Sequence, residues 1–188
     1  MSMKLNVVIC STRPGRNGKP VADWFFAHAA ANKGGFDEVV LTDLAEVNLP
    51  LLDEPNHPRM KKYTQEHTKR WSAIVEGSDA FVFVIPEYNF TAPPAFVNAV
   101  DYLYSEWGYK PAGFVSYGGI SGGLRSVQTA KTMLTTLKVM PVPEQVVIPM
   151  VFGHLKDGVF EAEKPHLDSA DAMVAELAKW AAALKPLR

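Results

Sequence analysis

The strongest constraint on how this chain folds is the run AFVFVIP at residues 80–86, seven residues without one polar side chain. A strand with one wet face alternates apolar and polar residues. A strand that is apolar on both faces needs cover on both sides, which a parallel sheet wrapped by helices supplies. Residues 80–86 therefore read as the central strand of such a sheet.

The text around this run alternates in the same sense. KLNVVI at 4–9 reads as a first strand. Residues 19–32 read as a helix with Val21, Trp24, Phe25 and His28 on one face, stopped by Gly34 and Gly35. Residues 37–42 suggest a second strand. Residues 61–76 suggest a helix with Trp71, Ile74 and Val75 inward. Further helices are expected at about 94–107 and 123–138, and strands at 112–117 and 144–148. A last helix at about 168–184 carries Met173, Leu177, Trp180, Ala181 and Leu184 at helical spacing. Between the second strand and the next helix lies DLAEVNLPLLDEPNHPRM, too polar and interrupted for core structure, and its LPLLDEP stretch (49–55) reads as either a surface loop or part of a lid over a site.

Five strands separated by helices predict an α/β fold with a five-stranded parallel sheet in three layers. The right-handed crossover rule favours the strand order 2-1-3-4-5, with ligands at the carboxyl ends of strands 1, 3 and 4. No repeat or linker divides the chain, so one domain spanning 1–188 is expected.

Composition removes several classes of function. The formal net charge is −1 and Lys and Arg form no block, so nothing resembles a nucleic-acid or anionic-membrane footprint. No apolar run approaches the roughly 20 residues that cross a bilayer, and the N-terminal text is strand-like rather than a signal peptide. The five histidines, at 28, 57, 67, 154 and 166, make no ligand pattern with the single cysteine, so no metal site is expected. Cys10 reads as a small buried residue at a strand end, and a cytoplasmic location is expected.

Three loops carry the chemistry. CSTRPGRNG (10–18) follows the first strand and ends at a helix N-terminus, where free N–H groups and the helix dipole favour an anion. Ser11, Thr12, Arg13, Arg16 and Asn17 nearly all donate, as phosphate requires. The loop is neither a dinucleotide fingerprint, since G-x-G-x-x-G is absent, nor a Walker A loop, since Gly18-Lys19 is followed by Pro20. PEYNFTAPP (86–94) follows the central strand. Pro86 stiffens it, Tyr88 offers a flat face, Asn89 suits a turn, and Thr91 is the expected N-cap of the helix that Pro93 and Pro94 begin. SYGGISGGLRS (116–126) follows the fourth strand, and its glycines let the backbone approach a ligand. Each loop alone fits an ordinary polar or capped turn; all three at the ends of successive central strands point to one ligand.

These residues resemble the NADPH-dependent FMN reductases, a family of flavodoxin-like fold that includes quinone and azo-dye reductases. The resemblance runs from about residue 4 to 148 and rests on STRPGR, on PEYN followed by Thr and prolines, on NAVDYL (98–103) and on SYGG-x-SGG-x-R. It implies that Ser11, Arg13, Arg16, Asn17 and Gly18 hold the FMN phosphate. It implies that Pro86, Glu87, Tyr88 and Asn89 lie along the isoalloxazine ring, and that Ser116, Tyr117, Gly118 and Gly119 border it. Cys10 and Asn17-Gly18 depart from the family's usual Gly and Ser, and Phe90 stands where a small or polar residue is common. The implied activity is an FMN-dependent NAD(P)H:acceptor oxidoreductase, with NADPH or NADH as donor and a quinone, azo compound, free flavin or metal ion as the small-molecule acceptor. No side chain is expected to act as general acid or base, and Glu87 reads as structural. The alternative is a flavodoxin-like electron carrier, though such carriers are usually strongly acidic and this chain is not. The family habit also implies a homodimer or dimer of dimers; Val100, Tyr102, Leu103, Tyr104 and Trp107 of the helix at 94–107 read either as plain core or, for some of the aromatics, as contacts with a partner.

Overall fold

The structure, a computed structural model, describes residues 2–188. Its sheet has five parallel strands: β1 (Lys4–Ile9), β2 (Glu38–Asp43), β3 (Ala80–Pro86), β4 (Pro111–Tyr117) and β5 (Met140–Ile148), in the order β2-β1-β3-β4-β5. This is the flavodoxin-like arrangement expected from the sequence. Every residue of β3 and of β4 is buried, as a doubly covered parallel sheet demands.

The period of two along β3 divides the core. Ala80, Val82 and Val84 face the layer of α1 (Gly18–Ala31) and α6 (Lys164–Leu184). Phe81, Phe83 and Ile85 face the opposite layer, made by the short α2 (Leu44–Val47) with α3 (Glu66–Glu76), α4 (Pro94–Asp101) and α5 (Leu124–Thr136). That second face is aromatic: Phe83 meets Phe96 edge-on at 5.2 Å and Phe114 at 5.9 Å between ring centroids. On the first face Gly113 lets α6 sit close, since a Cβ there would stand 2.5 Å from the Met173 sulfur. A small antiparallel hairpin, β6 (Leu155–Lys156) and β7 (Val159–Phe160), lies between β5 and α6.

Several boundaries move for physical reasons. The helix expected from 61 starts at Glu66, because Lys61 sits at φ 51° after a one-turn 3₁₀ segment at Pro58–Met60. The helix expected over 94–107 stops at Asp101 and is followed by a 3₁₀ turn, Ser105–Trp107. The break buries the Glu106 carboxylate, which accepts from Tyr63 Oη and Ser72 Oγ, each at 2.8 Å. Strand β5 starts four residues earlier than expected, its two prolines tolerated on a sheet edge. Helix α6 also starts four residues early, with Pro165 in its first turn and a capping box between Glu163 and His166. Two side chains expected inward are partly exposed: Ile74, and Trp180, which donates to Glu176 instead.

Two alternatives left open by the sequence are resolved by packing. Tyr102 and Trp107, with Val100 and Leu103, are buried within this chain, so they are not available to a partner. The 49–55 stretch is no lid, because side chains of α4 and the turn after it tie it down. Asn98 donates to Pro50 O at 2.7 Å and accepts from Leu52 N at 3.0 Å, while Tyr102 Oη reaches Asp53 at 3.0 Å. Among the described residues no helix is long and apolar enough to cross a membrane.

Candidate active site

The loops after β1, β3 and β4 converge at the carboxyl edge of the sheet on a cavity of about 340 Å³. Arg13, Arg16 and Asn17 line it from the first loop, Pro86, Glu87 and Tyr88 from the second, and Tyr117, Gly118 and Gly119 from the third. Asn89 lines an adjoining cavity of about 530 Å³ that shares Arg13, Glu87 and Tyr88 as its wall. The remaining expected residues support from behind. Ser11 is buried, with its hydroxyl 2.6 Å from Tyr88 Oη. Ser116 is buried with an unpartnered Oγ. Gly18 is also buried, and a Cβ there would lie 2.3 Å from Tyr117 Oη, so it serves the packing of Tyr117.

The first loop is rich in uncommitted donors. Arg13 is exposed and has no carboxylate partner among the described residues, whereas Arg16 pairs with Asp43 at the end of β2. That pair leaves Arg16 Nε buried without a partner. Helix α1 starts just beyond, with no acidic residue in its first turn and no side-chain cap from Asn17. Its first N–H groups are therefore free for an anion. An unpartnered guanidinium edge, a free arginine and an uncapped helix N-terminus fit a phosphate.

The second loop closes on itself. Tyr88 N donates to Thr91 O at 3.1 Å and Thr91 N to Tyr88 O at 3.0 Å, with Asn89 at φ 50° and Phe90 at φ 67°. Two left-handed central residues make this a mirror-image hairpin turn, a conformation that suits Asn and strains Phe. Thr91 is spent on this bridge and does not cap α4, whose N-cap is Pro93. The Phe90 ring is held under the Arg125 guanidinium, 3.7 Å from its centroid.

The Glu87 carboxylate is held by the third loop and by the start of α5. It accepts from Ser121 Oγ at 3.0 Å, Arg125 N at 3.2 Å and Arg125 Nε at 2.6 Å. Burial raises its pKa, but these donors outweigh burial and hold the carboxyl below the usual range. Glu87 is thus a charged strut between the loops. Burial pushes the Tyr117 phenol well up, and its hydroxyl has no partner among the described residues. The Cys10 thiol is buried and likewise pushed up, which keeps it a neutral thiol.

Two lining residues escaped the sequence reading. Val151 and Phe152 come from the turn after β5, fastened to the third loop by Met150 N to Gly119 O at 2.8 Å and Val151 N to Gly118 O at 3.0 Å. Phe152 is 70% exposed at the cavity mouth.

A doubly wound parallel sheet with a donor-rich loop, an aromatic turn and a glycine loop at its carboxyl edge defines a flavin-dependent oxidoreductase of flavodoxin-like fold. Residues 3–153 match the family model for NADPH-dependent FMN reductase, and the chain belongs to that family, whose cofactors are FMN and a nicotinamide nucleotide. It is 36% identical over 171 residues to the NAD(P)H-dependent FMN reductase ntnL of a Nectria species, covering 85% of this chain and 84% of that one. It is 30% identical over 168 residues to the NAD(P)H-dependent FMN reductase LOT6 of Saccharomyces cerevisiae, covering 77% and 87%. Its fold is similar to that of FerB, a flavoenzyme NAD(P)H:(acceptor) oxidoreductase of Paracoccus denitrificans, with a TM-score of 0.73, 20% identity and coverage of 97% and 98%.

Proposed function

We propose that this oxidoreductase passes electrons from NADPH or NADH, through FMN seated in the three-loop cavity, to a small planar acceptor. Quinones are the first class to test, with azo compounds, free flavin and metal ions as further acceptors. The observation that carries the reading is the convergence of uncommitted donors at one end of the cavity and flat walls at the other. FMN, when bound, supplies the hydride and electron chemistry. The chain's work is binding and orientation. Arg13, Arg16 Nε and the first N–H groups of α1 hold the phosphate end, while Pro86, Tyr88, Gly118 and Gly119 border the ring. Glu87 is engaged with Ser121 and Arg125, so no free acid or base lines the cavity. The adjoining cavity across Tyr88 offers donor and acceptor one shared approach.

A homodimer or dimer of dimers in the cytoplasm fits this reading. Phe90, Ile120, Met150 and Phe152 are exposed apolar side chains on the loops around the site, a surface suited to cover by a second copy.

The test is the absorption spectrum of the purified protein, identification of the released flavin, and NADPH oxidation with a quinone. Bound FMN with quinone-dependent NADPH oxidation is expected. A yellow protein inert to both nicotinamide nucleotides would be an electron carrier, and a colourless protein that refuses FMN would overturn the reading.

A further inference from the structure

At the opposite edge of the sheet, roughly 20 Å from the FMN site along β4, lies a second cavity of about 470 Å³. It opens between the 58–61 turn, the C-terminal ends of α3 and α5, the segment leading into β4, and residues 187–188. Five cations line it, Arg59, Lys61, Lys110, Lys138 and Arg188, against two carboxylates, Glu76 and Glu106. Lys61 is paired with Glu76 at 3.1 Å, and Arg188 with Asp79 at 2.6 Å. Glu106 accepts from Tyr63 and Ser72. Arg59, Lys110 and Lys138 have no carboxylate within ion-pairing distance among the described residues.

Lys110 is the telling member. It is 4% exposed, and its ammonium donates to Val75 O at 2.6 Å and Glu76 O at 3.1 Å, leaving one N–H uncommitted. A buried ammonium without a counter-ion is costly, which is why buried charges are normally paired. Burial, reinforced by Arg188, brings its pKa down to about 8, against the pull of Asp79, Glu76 and Glu106. Lys138 lines the same cavity, its Nζ donating to Tyr109 Oη at 3.2 Å, and Arg59 lies over Tyr104 at 5.9 Å.

We propose that this cavity binds a small phosphate-bearing anion, with Lys110, Lys138 and Arg59 as its ligands. Three unpaired cations from three separate segments match a multiply charged anion better than a single carboxylate, and the ligand supplies the counter-charge that Lys110 lacks. The site is independent of the FMN phosphate site, being at the other end of the strands.

The experiment is a calorimetric titration of the FMN-saturated protein at pH 8 with monofluorophosphate, a dianion with no titrating proton at that pH, in two buffers of different ionisation heat. One-to-one binding with net proton uptake is expected, because the anion restores the charge on Lys110. Lys110→Met should weaken binding at least tenfold and remove the uptake, and Lys138→Ala should weaken it while keeping the uptake. The Lys138 variant and the proton count decide the matter if Lys110→Met fails to fold. Absence of binding at millimolar monofluorophosphate, binding without proton uptake, or binding that neither variant changes would overturn the proposal.

Discussion

The Ser11 hydroxyl and the Tyr88 phenol meet at 2.6 Å, joining the loop after β1 to the loop after β3. Tyr88→Phe leaves a buried Ser11 hydroxyl without its partner, at a cost of about 1–2 kcal/mol. Chemical denaturation should read that loss, and flavin fluorescence titration should show weaker FMN binding as the two loops separate. Unchanged FMN affinity would mean the bond does not set their spacing.

Arg13 is the free cation on the wall of the cavity. Arg13→Ala should weaken FMN far more than riboflavin, by about 1.5–3 kcal/mol for a lost charge-assisted contact. Equal weakening of both ligands would place Arg13 away from the phosphate.

Gly18 and Tyr117 form a tight pair. A methyl at position 18 collides with Tyr117 Oη at 2.3 Å, whereas the next ring atom stands at 3.2 Å. Gly18→Ala should lower stability by about 1–3 kcal/mol and push Tyr117 toward the flavin cavity. Adding Tyr117→Phe removes the colliding atom, so the double variant should regain most of the stability and FMN affinity. A simple sum of the two single effects would contradict this coupling.

The acid side of the stability profile should carry a signature of Glu54. Burial raises its carboxyl, but the N–H groups of Thr64 and Gln65, at 2.8 and 2.9 Å, and nearby threonine hydroxyls outweigh burial and hold it at about 2 instead of 4.5. The folded value lies below the unfolded one, so the contribution is complete above about 4.5 and is lost as pH falls toward 2. Urea midpoints at pH 7, 4 and 3 should fall less steeply for Glu54→Gln, which starts lower at neutral pH.

In the proposed reading donor and acceptor share one approach, so steady-state kinetics should be ping-pong. The cavity beside Tyr88 adjoins the three-loop cavity and shares its wall, and on the proposed reading the first βα loop is committed to the FMN phosphate. One flat slot does not hold two rings, and the oxidised nucleotide leaves before the acceptor enters. Parallel double-reciprocal lines for NADPH against a quinone are expected; intersecting lines would require a separate donor pocket.

The sequence spoke clearly where chemistry and periodicity are local. The doubly apolar run at 80–86 located β3 to the residue, and the polar text of three loops pointed to one cavity. It was silent where long-range partners decide. Glu106 ends a helix by burying its carboxylate against Tyr63 and Ser72, tens of residues away. Ser11, Gly18 and Ser116 carry site-like chemistry but lie beneath the surface, a matter of packing that residue type does not reveal. Val151 and Phe152 reach the cavity through backbone bonds to Gly118 and Gly119, and backbone pairing leaves no mark in the text. The early start of α6 is written in Glu163 and Pro165, whereas the apolar periodicity begins later.

That backbone fastening has a practical meaning. The turn carrying Val151 and Phe152 clips onto the glycine loop by main-chain bonds and is anchored by the buried Val151 side chain, so the exposed Phe152 is the position free to differ. It behaves as an adjustable rim: exchanging Phe152 alone reshapes one edge of the cavity, with Val151 kept in the core and the three motif loops left unedited.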